Sequence, residues 1–220
     1  PVDIAVLEVA YIERDGSFVP TTSVGNSLTF ASLAKQVILE VNMAVSEDVY
    51  GLHDIYQAED YPHRNVIPIV APWNKIGRKT IPLDPNKVVG IVFTNIKDSP
   101  ADIAAPDEKT SNIAKHILEF FENEVKLGHL TDRLLPLQAG IGKVANAVLT
   151  GFKDSNFYDL MMFSEVLQDS TFDLIDSGKL SFASASSVTV SQECYERVFG
   201  NLAKYRDKFV LRPQNISNTP

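Results

Sequence analysis

The sequence predicts an α/β fold with a mainly parallel sheet. Short apolar runs rich in Val and Ile alternate along the chain with amphipathic helical patterns. That order is the signature of βαβ units, because parallel neighbours need a crossover between them. At 134–149 an apolar run leads through a glycine turn straight into a helical pattern. No internal repeat and no low-complexity stretch competes with this reading.

Residues 4–11 read as the first strand, and Arg14-Asp15-Gly16 as a turn. Residues 28–34 suggest a short helix, 36–42 a second strand and 87–94 (KVVGIVFT) a third. Between the last two, 61–85 holds Pro62, Pro68, Pro72, Pro82 and Pro85. Proline at that density breaks regular structure and implies a long ordered loop or a short hairpin. Residues 95–107 mix Asp98, Pro100, Asp102 and Pro106, which marks a domain boundary or crossover. Thr110 or Ser111 is placed to cap the next helix. Ile113, Ile117, Phe120, Phe121 and Val125 form its apolar stripe, and Gly128 ends it. There follow a strand at 134–138, a helix at 143–149, a strand at 158–163 and a short helix at 171–176. A strand at 180–185, a helix from Gln192 and a strand at 209–212 complete the series.

A chain of 220 residues with 45% hydrophobic content can form one large domain or two small ones. Its formal charge of −8 argues against nonspecific binding to nucleic acid or an anionic membrane. A local basic pocket for a nucleotide ligand is compatible with that charge. Cys194 is the single cysteine, so no internal disulfide forms, and a reducing cytoplasm is the simplest compartment. No apolar run approaches the roughly 20 residues that span a bilayer, and no signal segment opens the chain. The chain starts at Pro1 and runs at once into apolar residues 4–9, which reads as a piece of something larger; a processed N-terminus is the alternative.

Chemistry concentrates at Ser164-Glu165-Val166-Leu167-Gln168-Asp169. Glu165 stands where the strand at 158–163 should end, and Gly140-Ile141-Gly142 opens the helix at 143–149. A carboxylate beside backbone N–H groups at a helix start suits acyl transfer, since one attacks while the others hold an oxyanion. Bland readings stand beside this one. A Glu at a strand end is more often a surface or capping residue, and a glycine turn can serve backbone geometry alone. Gly140, Gly142 and Ala145 also fit a dinucleotide fingerprint, with Glu165 near the spacing of its ribose acid. Asn218, in Ile216-Ser217-Asn218, reads by pattern as a turn residue. His53, His63, His116 and His129 show no metal spacing, and His116 reads as a packed histidine. Cys194 reads as an ordinary helix residue with no adjacent activating base. Asp173 and Asp176 read as a solvated helix face, and Tyr205–Lys208 as a solvated loop that could alternatively reach CoA phosphates.

Three separated motifs resemble the acetyl-CoA hydrolase/acetate CoA-transferase family, which includes succinyl-CoA:acetate CoA-transferases. They are LLPLQAGIGKVANAVLTGF, FSEVLQDSTFDLIDSGKLSFASASS and YRDKFVLRPQNISN; PTTSVGNS and GLHDIY also fit. The resemblance covers nearly the whole chain, while family members are more than twice as long, so the chain resembles an internal fragment. It implies two CoA-transferase-like (NagB/RpiA-like) α/β parts, each incomplete: 1–97 would finish the N-terminal domain, and 98–220 would hold the linker and the start of the C-terminal one. It implies Glu165 as the nucleophile, the Ile141 amide as a donor to the thioester oxygen within the loop of Gly140 and Gly142, and Asn218 as an orienting amide. Coenzyme A would be a substrate, with no permanently bound cofactor, and acetyl- or succinyl-CoA would pass it to a short acid such as acetate, or be hydrolysed to free acid and CoA. A homodimer follows from the same resemblance. A dinucleotide-binding module, or a fragment without activity of its own, are the alternatives. The sequence departs from the family in two places. Thr219-Pro220 stands where many relatives have His-Pro after the asparagine, and Ser99 stands where some members place an Arg suited to grip a substrate carboxylate.

Overall fold

A computed structural model describes residues 2–59, 62–98 and 106–218. Ser99, Thr219 and Pro220 lie outside them. The chain forms β1 (Val2–Ile12), β2 (Phe18–Pro20), α1 (Ser27–Leu33), β3 (Ala34–Asn42), β4 (Val88–Thr94), α2 (Glu108–Lys126), α3 (Lys143–Phe152) and β5 (Leu160–Phe163). There follow β6 (Val166–Leu167), α4 (Asp169–Asp176), β7 (Leu180–Ala185), β8 (Ser187–Val188), α5 (Gln192–Phe199), α6 (Leu202–Tyr205), β9 (Phe209–Leu211) and α7 (Gln214–Ser217). The α/β class and the mainly parallel pairing expected from the sequence are both present. Two compact units divide the chain, Pro1–Ser99 with Val210–Pro220 as the first and Pro100–Phe209 as the second. The sequence reading ran its second part to 220, whereas Val210–Pro220 groups with the first unit.

In the first unit the strand order is β2-β1-β3-β4. β1 pairs with β3, and β3 with β4, in parallel; β2 is antiparallel. Ala5, Leu7 and Val9 alternate inward along β1, while Ile4 and Val6 face out at 55% and 62% exposure. The proline-rich segment carries no strand or α-helix among its described residues, but it is fixed. Ile55 and Arg78 exchange two backbone hydrogen bonds at 2.7 and 2.8 Å, and Phe18 and Ile81 exchange two at 3.0 and 2.8 Å.

At the centre lies a fully buried ion pair. Arg212 Nη1 bonds Asp54 Oδ2, and the two side chains are 0% and 1% exposed. Asp54 Oδ1 accepts from the backbone N–H of Ile76 and Gly77 at 2.9 and 2.6 Å. Arg212 Nη2 donates to the carbonyls of Pro72 and Asn74 at 3.0 and 2.6 Å. Burial pulls the guanidinium pKa down, and Asp54 opposes that shift. His53, next to Asp54, is also buried, with Nε2 2.9 Å from the Thr21 carbonyl. Burial pushes its pKa down to about 4, although the Thr21 carbonyl acts in the opposite sense.

The second unit holds the parallel pair β5–β7 and the two-stranded parallel sheet β6–β8. The expected strand at 134–138 shrinks to one bridge. Leu137 N donates to Met161 O at 2.7 Å and Leu137 O accepts from Phe163 N at 2.9 Å. Pro136 has no N–H for a ladder, and Leu134 sits at φ 54°. Asp107, not Thr110 or Ser111, caps α2. Its Oδ1 accepts from Thr110 N at 2.9 Å while its own N–H reaches Thr110 Oγ1 at 2.9 Å, a reciprocal box that satisfies two amides at once. The apolar stripe of α2 is divided: Phe121 packs on Phe152 and Phe157, but Ile113 and Phe120 are 44% and 58% exposed. Gly128, at φ 78°, closes the end as expected.

Two outcomes test the first unit. Arg212→Leu leaves Asp54 buried without its cation and is expected to lower stability by about 3–5 kcal/mol in urea unfolding. His53 binds a proton more weakly folded than unfolded, so stability falls as pH drops from 6.5 towards about 4, by up to about 3 kcal/mol in all. His53→Gln should flatten that slope by one proton, read from unfolding curves across the window.

Candidate active site

β5 ends at Phe163, and the chain turns sharply through Ser164-Glu165 into β6. The Glu165 carbonyl accepts from the backbone N–H of Ser186 and Ser187 at 2.8 and 3.3 Å and from Ser186 Oγ at 2.9 Å. Those bonds anchor its backbone to the segment joining β7 and β8. Its side chain is exposed. A nucleophile forming hydrolysable intermediates needs shielding from water, and within its own unit Glu165 does not have it.

Neighbours of Glu165 in sequence reach the glycine turn. Ser164, fully buried, donates through Oγ to Ala139 O at 3.0 Å and accepts from Ala139 N at 3.3 Å. Gln168, 1% exposed, donates through Nε2 to Gly140 O at 3.0 Å. The residues on either side of Glu165 are therefore bonded to Ala139 and Gly140. Ser164 and Gln168 were missed. Two polar residues inside the otherwise apolar run 160–167 and just after it were the available signal.

Gly142 is the N-cap of α3, at φ 137° and ψ 171°, with no side-chain cap. The first amides of α3 have no acceptor within the helix, as at any helix start. Ile141 is 68% exposed. The turn borders an apolar cleft of about 620 Å³, lined from α2 by Ile117 and Phe121 and from α3 by Val144, Val148 and Phe152. The dinucleotide reading fits less well. Its glycines allow close packing after a strand, but here a single bridge precedes the turn, and the space where a Cβ would sit at Gly140 or Gly142 is open.

Asn218 folds with the first unit as the exposed C-cap of α7, its N–H bonded to Gln214 O at 2.9 Å. Other expectations are corrected. His116 is exposed and bonds Glu119 at 3.0 Å. Asp173 and Asp176 keep the solvated helix face expected of them and pair there with Arg197 and Lys204. Burial raises the pKa of Asp176, but the bonds from Lys204 and Tyr205 outweigh it and leave the carboxyl below its usual range. Tyr205 is 1% exposed rather than part of a solvated loop. Cys194 does have a basic neighbour, Arg197, one helical turn on at 3.4 Å, yet burial pushes its thiol up to about 11, so it is no nucleophile. Among the described residues no group of three or more His, Cys, Asp or Glu gathers as a metal site, and no helix is long and apolar enough to cross a membrane.

Residues 1–93 match the family model of the acetyl-CoA hydrolase/transferase N-terminal domain. The chain is 43% identical over 218 residues to an acetyl-CoA hydrolase from Candida glabrata, a match spanning 99% of this chain and 41% of that protein. Over nearly its whole length the chain is similar to proteins of the acetyl-CoA hydrolase/transferase family. It is also 39% identical over 219 residues to a succinyl-CoA:acetate CoA-transferase from Clostridium kluyveri, covering 100% of this chain and 41% of that one. It thus spans about two fifths of the length of the curated relatives it matches. Among solved structures, a 4-hydroxybutyrate CoA-transferase from Porphyromonas gingivalis superposes with a TM-score of 0.66 at 18% identity, over 99% of this chain and 46% of that one. At that identity the likeness shows the fold.

The two glycines are expected to differ. Gly142→Ala forces a side chain into φ 137° and should cost about 1–3 kcal/mol. Gly140→Ala meets open space without a positive φ in that range and should stay within about 0.5 kcal/mol of the parent. Paired urea titrations check the contrast.

Proposed function

We propose that the full-length protein carrying these residues moves coenzyme A between an acyl-CoA and a short carboxylic acid, with Glu165 as nucleophile. The observation that carries this reading is the exposed carboxylate of Glu165 at a parallel strand end, with both of its flanks tied to the glycine turn. Similarity to acetyl-CoA hydrolases and a succinyl-CoA:acetate CoA-transferase supports the same chemistry.

The steps follow from the groups present. The Glu165 carboxylate attacks the thioester carbon, and the oxyanion takes hydrogen bonds from amides of the turn, Ile141 first. CoA thiolate leaves, giving a mixed anhydride between the acyl group and Glu165. The thiolate then attacks the Glu165 carbonyl carbon and expels the free acid, leaving a glutamyl-CoA thioester. An acceptor carboxylate runs the sequence backwards, so kinetics are ping-pong. Water in place of the acceptor gives net hydrolysis. Acetyl- or succinyl-CoA as donor and acetate as acceptor follow from the resemblance. In this reading Gly140 and Gly142 shape the turn that meets the thioester, and Asn218 orients a carboxylate. CoA is a substrate rather than a resident group. The resemblance also supports a homodimer, and a single cysteine without a disulfide partner fits a cytoplasmic protein.

Intact mass spectrometry of the full-length protein after acetyl-CoA and borohydride tests the nucleophile. Reduction of a glutamyl-CoA thioester to the alcohol lowers the mass by about 14 Da. The decrease should map to Glu165 and vanish in Glu165→Gln. An active sample with no mass change would remove Glu165 from the role.

A further inference from the structure

We propose that Gln168 and Ser164 are positioning residues that aim the amides of the glycine turn, a role that rests on the reading of Glu165 as nucleophile. The argument starts from the peptide unit. C=O of one residue and N–H of the next lie in one plane and point in opposite directions when the bond is trans. Holding Gly140 O therefore fixes where Ile141 N–H points. Gln168 Nε2 holds that oxygen at 3.0 Å from a side chain that is 1% exposed. The carbonyl is thus drawn inward and the Ile141 amide is turned outward, on the side where Ile141 is 68% exposed. Ser164 repeats the device one residue earlier. Its hydroxyl takes Ala139 O at 3.0 Å, which fixes the direction of Gly140 N–H.

Packing does not do this work. No heavy atom lies within 4 Å of where a Cβ would sit at Gly140 or Gly142, so these two residues have wide backbone freedom. The clamp also carries a cost. Gly140 O is only an acceptor, so Gln168 must present its NH₂ to it. Gln168 Oε1 is then buried with no hydrogen-bond partner, a state proteins usually avoid. A glutamine kept in that condition, three residues after Glu165, is explained if the direction of the turn amide matters more than the lost bond. Ser164 and Gln168 bracket Glu165, so one short segment carries both the nucleophile of the proposed reading and the clamp on the turn.

Gln168→Met keeps length and removes the donor. Two readouts on the full-length protein test the clamp: amide hydrogen exchange of peptide 139–144, and the separate kcat and KM of CoA transfer. The expected result is exchange faster by about tenfold, with peptides of β5 and β7 unchanged, and kcat lower by about tenfold or more at nearly constant KM. Ser164→Ala should act in the same direction and Ser164→Thr, which keeps the hydroxyl, should restore it; this pair decides the matter if the Met variant does not fold. Unchanged exchange, or faster exchange with kcat intact, overturns the proposal. Glu165→Gln separates the two claims. It should abolish turnover while leaving exchange at 139–144 as in the parent, and turnover surviving in it would sink the nucleophile, leaving the exchange data to judge the clamp alone.

Discussion

The first unit depends on the buried pair of Asp54 and Arg212. Two charges withdrawn from water are tolerated only when their remaining lone pairs and protons find partners. Here one carboxylate oxygen takes the guanidinium and the other takes two amides, while the guanidinium reaches two carbonyls. Those partners come from 72–77, a stretch with neither strand nor α-helix. Prolines there and nearby remove N–H donors and disfavour ladders. The ion pair supplies the order a ladder would have given, joining segments 158 residues apart in sequence. Such a pair contributes to uniqueness more than to net stability, because well-packed apolar residues could fill the space without the desolvation cost.

The second unit uses the same principle without a fully buried ion pair among its described residues. Its polar connections gather at strand ends: Ser164 and Gln168 on the glycine turn, and Asp169 on Ser191, whose N–H it accepts at 2.9 Å. Apolar side chains below make the floor, with Phe172 edge-on to both Tyr205 and Phe209. Parallel strands place their ends together, and loops there converge without any strand giving up ladder bonds. Sites in open α/β sheets form at carboxyl ends for this reason. Glu165 occupies that position after β5.

β3 and β7 were legible to within two residues, because Val37, Leu39 and Val41 alternate inward along β3 and Leu180, Ala183 and Ala185 are buried in β7. Leu134–Gln138 misled because its composition is strand-like while Pro136 forbids the pairing; apolar content and hydrogen-bond capacity are separate requirements. The α2 stripe misled for another reason. A helical period marks the residues that share a face but not how much of that face the rest of the unit covers, and Ile113 and Phe120 fall beyond the cover. Glu165 and the glycine turn stood out in the sequence because the proposed chemistry restricts residue type. Asp54, Arg212, Ser164 and Gln168 were not. Polar residues look like surface in a sequence, and only tertiary partners far along the chain reveal them as buried.

Exposure of Glu165 bears on the balance between transfer and hydrolysis under the proposed reading. The mixed anhydride and the glutamyl thioester are both attacked by water, and transfer wins only where the acceptor acid arrives in a site that water has left. The groups that would stabilise the oxyanion and those that would exclude water are physically different. Amides of the turn are fixed by Ser164 and Gln168, inside the same unit and close in sequence. A cover over Glu165 is a matter of surfaces that close on it, and its own unit leaves its side chain open. Covalent chemistry and partitioning can therefore vary independently. On the proposed reading, a change at Gln168 would alter how fast the thioester forms, while a change in whatever covers Glu165 would alter which acceptor consumes it. Hydrolase and transferase behaviour can then arise on one nucleophile and one glycine turn without substitution in either.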